Sequence, residues 1–88
     1  GLVKTDESMA IEVMRKLMLI APDKRIQKVT VRVNDKVADY LNTKKDAEIK
    51  EIKERSSIEV NVVSVENTYP EFLEFQCIND KGKAVKTD

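Results

Sequence analysis

The chain has no histidine and no tryptophan, a single cysteine, and only two glycines and two prolines. Each scarcity excludes something. Without histidine there is no Ser-His-Asp or Cys-His nucleophile and no histidine-ligated metal. One cysteine, Cys77, cannot close a disulfide within the chain or furnish a cysteine-rich zinc site, a usage that suits a reducing, cytoplasmic setting. Sixteen basic and sixteen acidic residues cancel, so the positive excess of a dedicated polyanion binder is missing. No apolar run approaches the ~20 residues of a membrane helix. The opening residues are too polar for a secretory signal, so no membrane partner is expected.

What remains is 88 residues, 41% apolar and 36% charged: enough for one small core, dense in regular structure because so few glycines and prolines interrupt it. Thr5 reads as a helix cap, with Asp6 and Glu7 complementing the helix dipole and Val3 placed as a hydrophobic staple. Ala10, Val13, Met14, Leu17, Ile20 and Ala21 then recur at helical spacing until Pro22, which predicts a helix over 6–21. Met9, Ile11 and Met18 lie off that line. This is more apolar surface than one core stripe requires: the extra residues either wrap round the edge of the domain's own core or mark a candidate subunit interface.

Val29, Val31 and Val33 alternate with Lys28, Thr30 and Arg32, which predicts a half-buried strand over 26–33. Asn34 or Asp35 caps a second helix carrying Val37, Ala38, Tyr40 and Leu41. A helix running straight on to Arg55 would carry Lys44, Lys45 and Glu48 into the core stripe. Thr43 and Asp46 read as a capping box, so a break is expected near 42–46, followed by a helix over 46–55 anchored by Ile49 and Ile52. Ile58, Val60 and Val62 start another strand, and the change of parity at Val63 and Val65 reads as a bulge or the strand end. Leu73, Phe75 and Cys77 share a face of a last strand, whose short linker favours an antiparallel hairpin with the strand before it. The two earlier strands, joined through helices, should run parallel. The expected fold is α/β (α+β): order α-β-α(α)-β-β, a three-stranded mixed sheet with helices packed on one side, in a single domain over 1–78. Residues 79–88 read as a flexible polar tail, in which Asp80-Lys81-Gly82 is able to turn a short extra strand.

Chemistry-bearing constellations are sparse. Glu48, Glu51 and Glu54 share a helix face, but interleaved lysines mark it as a solvated, salt-bridged surface. Lys24, Arg25, Lys28 and Arg32 form a basic cluster able to touch phosphate weakly, aided by Lys44 and Lys45. No GxxG loop or aromatic strand motif of an RNA-binding module accompanies them. Cys77 alternates inward and reads as a structural thiol. No catalytic or metal-ligating residue is assigned.

A resemblance extends this reading. Val3-Lys4-Thr5-Asp6-Glu7-Ser8, leading into the first helix, is similar to the phrase that follows the zinc-binding CPxCxGxG stretch of ribonuclease E/G family proteins. Asp6 stands where that family often has proline. The stretch from Val29 to Lys45 resembles the family's strand-to-helix phrase, with Asp35 in place of another frequent proline. Residues 49–63 resemble its helix exit, with Ser56-Ser57 instead of glycine, and residues 68–78 its aromatic-rich terminal strand.

The resemblance implies a non-catalytic structural or oligomerisation domain of an endoribonuclease acting in RNA processing and mRNA decay. It places the domain at the C-terminal end of the nuclease region, after the zinc link. Partners would be other subunits or domains of the parent. The parent's magnesium and zinc would be bound upstream, with no cofactor here, and RNA would be engaged by the parent rather than this segment. Two rivals stand beside it: a free-standing RNA-binding domain of KH-like size, and a protein-interaction adaptor.

Overall fold

The structure is a computed structural model that describes residues 5–85. Thr5 is extended (φ −87°, ψ 168°) and its hydroxyl accepts the Ser8 N–H at 3.1 Å, opening helix α1, Asp6–Ile20. The staple read at Val3 lies outside the described residues. Ala21 closes the helix, its N–H donating to the Leu17 carbonyl ahead of Pro22.

Strand β1, Lys28–Asn34, leads directly into α2, Asp35–Lys44. Asn34 is the cap, its side chain accepting the Lys36 N–H at 2.9 Å. The break falls at Lys45 (φ −119°, ψ 9°) and re-aims the chain into α3, Asp46–Ser56, which buries Ile49 and half-buries Ile52. The break is where the charge pattern placed it, but Thr43 is not its cap. Thr43 sits inside α2 with its hydroxyl donating back to the Asp39 carbonyl at 2.8 Å, a bond that competes with capping. No side chain caps α3. Lys44 is exposed and Lys45 half-buried.

Ser57, in the left-handed region (φ 53°, ψ 37°), reverses the chain into strand β2, Glu59–Val65; β3 is Leu73–Ile78. The sheet order is β2-β1-β3, with β1 parallel to β2 (Val29 beside Val60, Val31 beside Val62) and antiparallel to β3 (Val29 beside Cys77, Val31 beside Phe75). The expected β2–β3 hairpin is therefore corrected. Residues 66–72 carry the chain past the end of β1 to its far side. β1 holds the three wholly buried valines 29, 31 and 33, so centring it pairs both edges of the most desolvated backbone in the sheet. Nor is there a bulge in β2: pairing continues to Asn34 beside Val65, which puts Val63 and Val65 on the sheet face away from the core side chains.

All three helices contribute to one core with Val29, Val31, Val33, Val60 and Cys77. The opposite face of β1 carries Lys28, Thr30 and Arg32. After β3, Asn79 organises a turn, its carboxamide oxygen accepting the Lys81 and Lys83 N–H groups. Ala84 then bridges Ile78, so the turn read at Asp80-Lys81-Gly82 forms. No helix among the described residues is long and apolar enough to cross a membrane.

Candidate interaction surface

On α1 the inward side is made by Ala10, Val13, Met14, Leu17 and Ile20, all buried, with Ala21 completing the line. The three residues set off that line behave differently from one another. Met9 is only 1% exposed and belongs to the core, so the sequence placement of Met9 at the interface is corrected. At helical spacing Met9 falls beside Val13 and Ile20, at i+4 and i+11, and so lies on the flank of the buried stripe itself. Ile11 and Met18 are 42% and 59% exposed, as their phase suggested. Leu19, which the sequence reading left unassigned, is 77% exposed. The signal for it was present: Ile11, Met18 and Leu19 stand at i, i+7 and i+8, the spacing of a second apolar stripe.

Ile11, Met14, Arg15 and Met18 form one wall of a depression of about 340 Å³, and Lys45 and Glu48 form the other. The second wall is pinned by the Lys45–Glu48 ion pair at 3.6 Å. The depression thus joins apolar side chains of α1 to a charged rim.

The basic residues do not converge. Lys24 and Arg25 lie in the loop after α1, whereas Lys28 and Arg32 project from the sheet face opposite the core. Three of the four face carboxylates: Arg25 reaches Asp23 at 2.7 Å, Lys28 reaches Glu59 at 4.0 Å and Arg32 reaches Glu74 at 3.2 Å. The latter two are cross-strand neighbours in the ladder, Lys28 beside Glu59 and Arg32 beside Glu74. The side-chain hydrogen bonds from Arg25, seconded by its backbone N–H, hold the Asp23 carboxyl down at about 2, and Arg25 is correspondingly raised. Each pair cancels locally the positive field that would draw a phosphate.

Glu48 pairs with Lys45 and Glu51 with Arg55 on α3, and Cys77 is buried in the core. Among the described residues no group of three His, Cys, Asp or Glu side chains is arranged to hold an ion.

The family model for the RNase E/G, Thioredoxin-like domain matches residues 1–78. No curated protein matches the chain.

Proposed function

The chain belongs to the RNase E/G thioredoxin-like domain family, and from that premise we propose that it is a non-catalytic assembly domain of a ribonuclease E/G-type endoribonuclease. In this reading it sits after the zinc link of a cytoplasmic parent that acts in RNA processing and decay. The parent's upstream residues hold magnesium, zinc and RNA, and this domain holds subunits or domains together. The observation that carries the reading is the outer stripe of α1, Ile11, Met18 and Leu19, beside the depression shared with Lys45 and Glu48. A folded domain of this size that leaves three large apolar side chains on one helix face has surface suited to a partner, and methionine adapts well to a protein contact.

The thioredoxin-like name is taken as a statement about fold. Dithiol exchange needs two thiols, and this chain by itself has one. In-line hydrolysis of a phosphodiester needs a metal or an acid–base pair aimed at the phosphate. Of the α3 carboxylates that come nearest to such a set, Glu48 is engaged with Lys45 and Glu51 with Arg55.

The test is to place Ile11→Glu and Met18→Lys in the full-length parent and follow assembly by sedimentation velocity. Weakened assembly with folding retained supports the proposal. Unchanged assembly, or RNA cleavage by the isolated chain that is lost in Glu48→Gln or Glu51→Gln, refutes it.

A further inference from the structure

The chain carries sulfur only at three methionines and one cysteine, and the fold sorts them. Met9 is 1% exposed, Met14 5% and Cys77 4%, all within the core, whereas Met18 is 59% exposed. The one accessible sulfur therefore stands on the outer stripe of α1, in line with Ile11 and beside Leu19. It also lines the depression of about 340 Å³ that Arg15, Lys45 and Glu48 share. A thioether at this place is apolar and adaptable. Its sulfoxide is neither, because the added oxygen is polar and accepts hydrogen bonds. The Arg15 guanidinium and the Lys45 ammonium line the same depression and offer only donors. An oxidised Met18 thus has new partners on its own rim.

We propose that Met18 is a reversible redox switch on assembly: a hydroperoxide oxidises it in the unassembled chain, and the sulfoxide keeps the outer stripe of α1 from being covered. The inference rests on the assembly reading of that stripe and adds its regulation. In the forward step the sulfur lone pair attacks one oxygen of hydrogen peroxide. An S–O bond forms as the O–O bond breaks, and the departing hydroxide takes up the proton of the transferred group and leaves as water. Sulfur gives up an electron pair and the peroxide accepts it. The return step needs a pair of thiols, which become a disulfide while the oxygen leaves as water. Those thiols belong to a methionine sulfoxide reductase, since Cys77 is alone and buried. The fold survives the cycle, because Met18 lies outside the core and the core sulfurs are withheld from the oxidant by burial. Assembly in turn covers Met18, so the switch distinguishes free chain from assembled chain.

The experiment treats the full-length parent with hydrogen peroxide while dilute, removes the peroxide with catalase, and follows assembly on concentration by sedimentation velocity. Peptide mass spectrometry should place an added oxygen on Met18. Assembly should weaken about tenfold or more, the scale of one apolar side chain lost from a contact, and recover after methionine sulfoxide reductase and dithiothreitol. The isolated domain, oxidised in the same way, should keep its circular dichroism and its unfolding midpoint. In a Met18→Leu parent, treated and untreated protein should assemble alike, which removes the parent's other methionines as the cause. Met18→Gln, with a permanent carboxamide, should reproduce the oxidised behaviour without peroxide. Treated wild type that assembles like untreated protein overturns the proposal, as does a Met18→Leu parent of equal sensitivity. So does an isolated domain that unfolds when Met18 alone is oxidised. Ile11→Glu separates the two ideas. If it weakens assembly and oxidation of Met18 does not, the switch fails and the assembly reading stands; if neither weakens it, both fall.

Discussion

The side-chain amide of Asn34 donates to the backbone carbonyl of Thr68 at 2.8 Å while its oxygen accepts the Lys36 N–H at 2.9 Å. One buried side chain thus caps α2 and fastens the crossover that takes the chain from β2 to the far side of β1. Asn34→Ala removes both bonds and strands a part-buried carbonyl, which should cost about 2 kcal/mol in urea unfolding. Asn34→Ser keeps a cap acceptor but is too short to reach Thr68, and should recover about 1 kcal/mol of that. Equal losses in the two variants would show that the crossover bond contributes nothing.

Ser57 ends α3 at φ 53°, a conformation that costs a residue with a Cβ and suits glycine. Ser57→Gly should therefore stabilise the domain by about 0.5–1 kcal/mol, although glycine substitutions usually weaken a fold. A destabilised variant would mean that the serine makes a compensating contact.

The Asp23–Arg25 pair gives a pH signature of defined sign. Because the carboxyl is held at about 2 against an ordinary 3.8, the folded state binds its proton less readily than the unfolded chain. The stability it adds is present above pH 3.8 and is lost as pH falls toward 2. The carboxyl carbon of Asp23 should titrate near 2 by NMR. In Arg25→Gln it should move back toward the ordinary value, and the dependence of stability on pH in that window should flatten. No movement would remove Arg25 as the cause.

The methionines of α1 separate core from surface. Met9→Ala should cost about 2–4 kcal/mol because it opens a void among buried neighbours. Met18→Ala should stay within about 0.5 kcal/mol, and the two unfolding curves decide it. The reverse order would return Met9 to the surface and Met18 to the core.

Much of the fold was legible because its signals are local. The Thr5 cap, the alternation at Val29, Val31 and Val33, the halt at Pro22 and the charge interruption before Asp46 each act within a few residues. The strand order was not legible in this way. Whether β3 pairs with β2 or with β1 depends on which strand is most desolvated, and on a bond from Asn34 to a carbonyl 34 residues away. Thr43 misled because a threonine three residues before an aspartate looks the same whether its hydroxyl caps the next helix or bonds back into its own. On α1, helical phase identified Ile11 and Met18 as exposed but misplaced Met9. Three helices over one sheet cover a wider arc of α1 than a single stripe, and phase alone does not report how wide. The same omission left Leu19 unassigned.

The outer stripe of α1 is open in this domain and, in the assembly role proposed for it, covered in the assembled parent. Methionine oxidation reads this directly, since Met9 and Met14 are buried and Met18 is exposed on the same helix. Mild peroxide treatment followed by peptide mass spectrometry should oxidise Met18 of the isolated domain much faster than Met9 or Met14. In the assembled parent, Met18 should slow to the rate of the two buried methionines. A Met18 that oxidises equally fast in the isolated domain and in the assembled parent would contradict the assembly role assigned to this surface.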